Sequence, residues 1–427
     1  MNKSFPNNAE PMQVAVESIG MRGDGIAVVD GVPYYIPGTA PGDVVDIIRG
    51  SKRDDGYTAT VSTLHTPGPD RTEPACRHFG TCGGCTLQHI TPGAVADIKR
   101  DQISLTLARH GFQDIPIRET IAIPPGERRR VRFSMHKKRG VAFGFNANRS
   151  NDVIDIAECP AARPEIAKLI PDLKALAART PALGRRAEFI VTATDTGIDI
   201  LLRPSKRKNP GMDERVALAA FAERHDIARI GWDGPIGYEP LAARRAPTIT
   251  FGKTRLAMPP DAFLQPSQGG ERAIVKAVCD AAAGARKITD LYAGCGALSF
   301  PLSALGPVQA YEGNEDMVQA IRYAAAGQPV AAEIRDLARR PLSPDELKRF
   351  DTIVFDPPRA GAREQAGTIA LSAAQTVIAV SCNPATLARD LRTLVTGGYR
   401  IESIQPIDQF PWSAHVEAVA VLRRDRP

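Results

Sequence analysis

Val377-Ile378-Ala379-Val380-Ser381-Cys382-Asn383-Pro384 runs from continuous apolar residues into a thiol and then into an Asn-Pro stop. A short β-leaning run bounded in this way predicts a buried strand that ends at Cys382. In an open α/β sheet, residues just past the carboxyl end of a strand line the ligand crevice, so Cys382 is a candidate nucleophile. The competing reading is a small packing residue, because free cysteine is among the most buried residue types. The neighbouring strands bear on the choice. Lys287-Ile288-Thr289-Asp290-Leu291-Tyr292-Ala293-Gly294-Cys295-Gly296 is a strand breaking into a glycine turn, with helix-prone residues after it. The next strand, 307–312, ends in Glu312, about 20 residues beyond that turn, where a Rossmann-like sheet places an acid to hold ribose hydroxyls. Residues 350–359 form another strand, ending in Asp356 before Pro357 and Pro358. Asp290, Glu312, Asp356 and Cys382 therefore share one sheet edge if their strands run parallel, and this coincidence favours a functional thiol.

Further along, His415-Val416-Glu417-Ala418-Val419-Ala420-Val421-Leu422 reads as a final strand with His415 and Glu417 on one face. A carboxylate at the mouth of an apolar strand is desolvated, which raises its pKa toward the range of a general base. A structural acid at a sheet edge is the alternative. Asp336, after Glu333-Ile334-Arg335, is a candidate adenine-side contact, and Ala262-Phe263-Leu264-Gln265 leads into a helix over 269–283.

Upstream of this α/β region the character changes. Residues 11–65 hold five short strands separated by Gly, Pro and Asp, with Asp30-Gly31 a hairpin signal, and predict a small β-barrel. Then Cys76-Arg77-His78-Phe79-Gly80-Thr81-Cys82-Gly83-Gly84-Cys85 brings three thiols close together, and Glu158-Cys159-Pro160 supplies a fourth. Four thiols with a proline after the last suit an iron–sulfur cluster. Zinc is the competing ion, but its structural sites usually pair two short knuckles. His78 and His89 read as packing or RNA-contacting residues rather than ligands. The cationic run 127–139 fits either phosphate neutralisation or a solvated strand face, and a second basic run covers 203–208. These boundaries divide the chain into 1–68 (barrel), 69–250 (central α+β region with the cluster) and 251–427 (catalytic α/β domain).

Composition agrees with a globular protein, at 43% hydrophobic and 24% charged residues, and excludes disordered and fibrous classes. The net charge of +6 permits a nucleic-acid partner without requiring one. No run reaches the length of a membrane span, and Met1-Asn2-Lys3-Ser4-Phe5-Pro6 leads into no signal-peptide core, so a cytoplasmic location is expected. Seven cysteines in such a chain argue for metal binding or catalysis over disulfides. No obligate protein partner is evident.

Taken together, Cys-x5-Cys-Gly-Gly-Cys, Phe-x-Gln, Asp-Leu-Tyr-x-Gly-x-Gly, Asp-Pro-Pro-Arg, Ser-Cys-Asn-Pro and His-Val-Glu resemble the RNA uracil-C5 methyltransferase family over nearly the whole chain. The resemblance implies an N-terminal OB-like barrel of the TRAM type and a C-terminal Rossmann-like domain for S-adenosylmethionine. It implies that Cys76, Cys82, Cys85 and Cys159 hold a [4Fe-4S] cluster. It makes Cys382 the nucleophile that adds to C6 of uracil, Glu417 the base that removes the C5 proton, and Asp356 an acid beside base and cofactor. Gln265, Tyr292 and Glu312 match the cofactor contacts, with Asp336 and Asp356 alongside them. The expected substrate is RNA, ribosomal RNA of the large subunit first and the transfer-RNA T-loop second. Ala293 and Ser267 depart from the family pattern, so contacts by those two side chains do not carry over.

Overall fold

The computed structural model describes residues 10–53, 55–206 and 208–424. The reading of Met1–Pro6 and the Arg207 position of the second basic run lie outside them.

The strands Met12–Ala15, Ser18–Ile19, Gly25–Val29, Val32–Ile36, Val44–Lys52 and Tyr57–Thr66 make one six-stranded sheet. The first of the five strands expected over 11–65 divides in two. Its first part pairs with Val44–Lys52 and its second with Gly25–Val29, so a change of partner interrupts the strand. Asp30 and Gly31 both take positive φ, 51° and 78°, as the turn of a two-residue hairpin requires. Val14, Val16, Ala27, Tyr34, Ile36, Val45, Ile47 and Ala59, all from this segment, form its core.

A second sheet of seven strands spans Arg130–Lys137 to Gly237–Ala243. The helices Ile170–Ala178 and Met212–Arg224 pack with it around Phe133, Phe143, Phe189 and Trp232. Trp232 is fully buried, and its Nε1 donates to the Lys208 carbonyl at 2.9 Å, which satisfies the one polar atom of the ring.

The third large sheet positions the site. Its strands in chain order are β1 (Ile121–Ala122), β2 (Ile288–Leu291), β3 (Val308–Glu312), β4 (Val330–Ile334), β5 (Thr352–Phe355), β6 (Thr376–Ser381), β7 (Arg400–Asp408) and β8 (Glu417–Arg423). They lie in the order β4-β3-β2-β5-β6-β8-β7-β1. The run from β4 to β6 is parallel, and β8 enters antiparallel between β6 and β7. Strands β5 and β6 are buried from end to end, and that is why they read as continuous apolar runs. Alternate residues feed two cores. Val354, Ile378, Val380, Val419 and Val421 face one side, and Ile353, Phe355, Val377, Ala379, Ala418 and Ala420 face the other.

Four helices matter for the site: α1 (Pro92–Arg109), α2 (Gln268–Ala281), α3 (Glu315–Ala324) and α4 (Pro384–Thr396). Residues 92–122 were expected in the central region, yet α1 and β1 pack on the catalytic sheet. Ile103 and Leu107 of α1 join the same core as Leu391 and Ile404, and β1 pairs with β7. A buried ion pair reinforces this docking. Lys99, fully enclosed on α1, bonds to Asp408 at the end of β7, and its Nζ also donates to the Phe410 carbonyl at 3.1 Å. Burial draws the Lys99 ammonium down and the Asp408 carboxyl up, and the pairing opposes both shifts. No helix among the described residues is long and apolar enough to cross a membrane.

Removing one partner of such a pair leaves the other charge buried without compensation. Lys99→Met is therefore expected to lower unfolding stability by about 3–5 kcal/mol, measured by urea denaturation. A change no larger than that of replacing the exposed Arg109 on the same helix would show that the pair does not secure α1.

Candidate active site

The parallel strands bring the expected residues to one edge. Glu312 ends β3, Asp356 follows β5, Cys382 follows β6, and Asp290 lies inside β2 one residue short of its end. The antiparallel register Ser381 opposite Ala418 then brings Glu417, the first residue of β8, to the end of β6 where Cys382 stands. Asn383 caps α4 with its side chain accepting from Ala385 N, and Pro384 opens the helix, so Cys382 is held in the turn between strand and helix.

Burial dominates the electrostatics here. Glu417 is 3% exposed, and desolvation first and the Asp356 charge second hold its carboxyl well above the usual range. The Asp356 carboxyl is pushed up to about 7 by desolvation. Its residue keeps some open surface, but protein atoms crowd the carboxylate itself, and it is the carboxylate whose solvation sets the shift. Both carboxyls therefore hold a proton more readily than an exposed carboxylate does. The Cys382 thiol rises to about 11, from burial first and the Glu417 charge next, while Arg359 pulls the other way.

A chain of amides ties these groups together. Gln265 Nε2 donates to Asp356 Oδ2 at 3.1 Å, Gln409 Nε2 donates to Gln265 Oε1 at 2.8 Å, and the same nitrogen donates to Glu417 Oε2 at 2.7 Å. Gln409 was not singled out from the sequence. It follows a strand in an unremarkable loop, and only the register of β7 against β8 shows that it faces Glu417.

The glycine turn opens with Tyr292 at φ 63°, an uncommon conformation for a residue with a side chain, followed by Gly294 and Gly296, also at positive φ. Glu312 reaches back to it: Oε2 accepts Gly294 N at 2.9 Å and Oε1 accepts Asn314 N at 2.8 Å. Asp290 accepts the Ser299 hydroxyl at 2.5 Å, and its other oxygen is buried without a partner. Asp336, just past β4, is exposed and caps its own turn through Ala338 N and Arg339 N. Ser267 caps α2 by accepting Gly270 N at 3.1 Å. Cys295 is buried in the core and its thiol is raised to about 12, so it is no rival to Cys382.

The four upstream cysteines also meet. Among the described residues no three His, Cys, Asp or Glu side chains converge tightly enough for a single metal ion. Even so, the Cys82 thiol feels Cys159 and Cys76, Cys85 feels Cys159 and Cys82, and Arg128 lies beside both Cys85 and Cys159. Four thiols without a histidine are the kind of donor set that iron–sulfur clusters use. Gln88, also missed in the sequence, braces the set by accepting Cys76 N at 3.0 Å and bonding to the Cys85 thiol. A Cβ on Gly83 would meet the Asn146 carbonyl at 2.7 Å, which is why the second turn residue is glycine. His78 accepts Ala157 N and His89 contacts the Thr39 carbonyl, both local contacts.

The cysteine loop touches the catalytic edge directly: Thr86 N and Leu87 N both donate to the Trp412 carbonyl, at 2.8 and 2.9 Å. The cationic strand is partly spoken for, since Arg129 pairs with Glu271 and Arg130 with Asp261. A groove of about 840 Å³ lined by Tyr238, Arg255, Met258, Asp261 and Tyr323 includes none of Cys382, Asp356 and Glu417.

Residues 248–425 match the family described as tRNA (Uracil-5-)-methyltransferase. An uncharacterized RNA methyltransferase of Brucella suis biovar 1 (strain 1330) is 40% identical over 97% of this chain and 98% of its own. A 23S rRNA (uracil(1939)-C(5))-methyltransferase of Thiobacillus denitrificans (strain ATCC 25259 / T1) is 31% identical over 96% of this chain and 99% of its own. In fold, the chain resembles the tRNA (uracil-54, C5)-methyltransferase of Pyrococcus abyssi, solved with S-adenosyl-L-homocysteine, with a TM-score of 0.74 at 23% identity over 96% of this chain and 100% of that one.

Because the Cys382 thiol is raised to about 11, its alkylation by iodoacetamide is expected to be slow near neutral pH and to climb in the alkaline range, followed by peptide mass spectrometry. Glu417→Gln removes the neighbouring charge and moves that climb to lower pH. Coincident profiles would mean that the Glu417 charge does not reach the thiol.

Proposed function

The chain belongs to the RNA uracil-C5 methyltransferase family, and on that premise we propose that it methylates C5 of a uridine in 23S ribosomal RNA through a covalent adduct at Cys382. The observation that carries this reading is the meeting of the Cys382 thiol with the buried Asp356 and Glu417 carboxyls at the carboxyl end of the parallel strands. Uracil C5 is too weakly nucleophilic to take a methyl group from a sulfonium directly. The Cys382 thiol gives up its proton to solvent, its sulfur adds to C6, and the former C5=C6 electrons make C5 nucleophilic. C5 takes the methyl group of S-adenosylmethionine, Glu417 removes the C5 proton, and the C6–S bond breaks to release the thiolate. Asp356, able to hold a proton near neutral pH, orients the uracil and offers that proton to a ring carbonyl oxygen as charge develops there. The target uridine leaves its stack to reach Cys382.

Gln265, Tyr292, Glu312, Asp336 and Asp356 hold the cofactor in this proposal. Glu312 lies where ribose hydroxyls are bound in such sheets, and each of its oxygens has a lone pair left beyond its backbone bond. Cys76, Cys82, Cys85 and Cys159 hold a [4Fe-4S] cluster, whose contribution is to cross-link the loops around it. The barrel segment within 1–68 and the region 69–250 grip RNA, and 251–427 carries the chemistry. Ribosomal RNA is favoured by the Thiobacillus relative, which matches along its whole length. Transfer RNA is the second reading, favoured by the activity of the Pyrococcus protein of like fold.

Incubation with methyl-labelled S-adenosylmethionine and RNA from a strain lacking the protein is expected to yield 5-methyluridine, located by nucleoside mapping of ribosomal and transfer RNA. Cys382→Ala should abolish both product and covalent RNA adduct, and Glu417→Gln should trap the adduct. No 5-methyluridine, with no adduct in Glu417→Gln, would overturn the proposal. Cys82→Ser should remove the broad visible absorbance and the bound iron and sulfide of the purified protein while leaving S-adenosylmethionine affinity within about twofold, on the principle that contributions of distant sites are independent. Protein purified without oxygen that holds no iron would refute the cluster assignment.

A further inference from the structure

Gln409 is 1% exposed, and its Nε2 donates to both Gln265 Oε1 and Glu417 Oε2. Its surroundings fix it from two directions. On the side of α2, a Cβ added at Gly270 would meet Gln409 Cβ at 2.4 Å and Oε1 at 2.7 Å, so the helix lies as close as a glycine allows. On the other side, the residues flanking it are anchored to α1: Asp408 by its bond to Lys99, and the Phe410 carbonyl by Lys99 Nζ at 3.1 Å. Asp408 Oδ1 also accepts Phe410 N at 3.2 Å, closing the turn around Gln409.

We propose that Gln409 is a positioning residue for the base: it aims the Glu417 carboxylate at the C5 proton, and the Lys99–Asp408 pair holds Gln409 in place to do so. This rests on the methyltransferase reading above. In the step concerned, a Glu417 oxygen takes the C5 proton, the C5–H electrons become the C5=C6 bond, and the C6–S electrons return to the Cys382 sulfur. Besides Gln409, the charged or titratable groups facing Glu417 are Asp356 after β5 and Cys382 after β6. Arg359 acts on Cys382 and is bonded to His415, and the Lys99–Asp408 pair anchors the residues on either side of Gln409. Of these neighbours, the Gln409 donor is the one that stabilises the carboxylate by a hydrogen bond, against burial and the Asp356 charge, which destabilise it.

The sign follows. The base works deprotonated, so losing the donor raises the pH needed to deprotonate it. Gln409→Met, similar in size but without the donor, is expected to move the acid limb of the pH–rate profile up by about one to two units, the equivalent of one hydrogen bond to a charged acceptor. Near neutral pH the covalent RNA adduct should accumulate, as in Glu417→Gln, and it should resolve when the pH is raised, which Glu417→Gln cannot do. The profile is read with methyl-labelled S-adenosylmethionine and RNA from a strain lacking the protein, and the adduct by denaturing gel. Gln409→Asn, which retains an amide, should fall between, and it carries the same reading if Gln409→Met does not fold. A wild-type limb without adduct, or a uniform loss at every pH without adduct, would overturn the role of Gln409 alone. A wild-type protein that makes no 5-methyluridine would instead overturn the functional reading beneath it.

Discussion

Two carboxyls taken out of water at one sheet edge, and joined through Gln265 and Gln409, set the constraint that organises the rest of the site. Asp356 and Glu417 come from strands that are not neighbours, with β6 between them, and the Asp356 charge adds to burial in raising the proton affinity of Glu417. Left alone, such a pair would be neutralised by protons or driven apart. Here two glutamine amides bridge it, so the pair is kept close and part of its lone-pair demand is met without an opposing charge. A cation at the same place would have paired permanently with Glu417 and lowered its basicity. Amides orient the acid while leaving it able to exchange a proton.

The same economy explains the positions of the cations. Lys99, Arg129 and Arg359 all lie near the site, but each is engaged: Lys99 with Asp408, Arg129 with Glu271, and Arg359 with His415 Nδ1 at 3.1 Å. Arg129 Nε also donates to the Gln265 carbonyl at 3.1 Å, so a buried ion pair on the central region fixes the backbone of the residue that touches Asp356. Charge is spent on holding backbone in place, and neutral amides make the contacts to the reacting groups.

Much of this was legible in the sequence because parallel, doubly covered strands read as plain apolar runs and their ends are marked by abrupt polar residues. Asp290, Glu312, Asp356 and Cys382 were placed on one edge by that pattern alone, and the alternation in β8 assigned Val416, Ala418, Ala420 and Leu422 to a common core. What escaped was whatever depends on pairing between distant segments. Gln409, Gln88 and Lys99 carry no local signal. A glutamine in a loop and a lysine on a helix read as solvent-facing; the register of β7 on β8 buries Gln409, the docking of α1 buries Lys99, and Gln88 is tied to Cys76 and Cys85. The split of the first barrel strand was likewise invisible, since both halves have the same period and differ only in partner.

The two hydrogen bonds from Thr86 and Leu87 to the Trp412 carbonyl have a consequence for the order of assembly. Glu417 is carried on the last strand of the sheet, yet the loop that delivers it is seated by residues made more than three hundred positions earlier, as the separation of Lys99 from Asp408 also shows. Contacts of such long range form late, because their loop-closure cost must be met before they contribute. A nascent chain can complete its first two sheets during synthesis and still own no base. Competence therefore arrives in one step, when the last strand slips between β6 and β7 and finds the cysteine loop already in place.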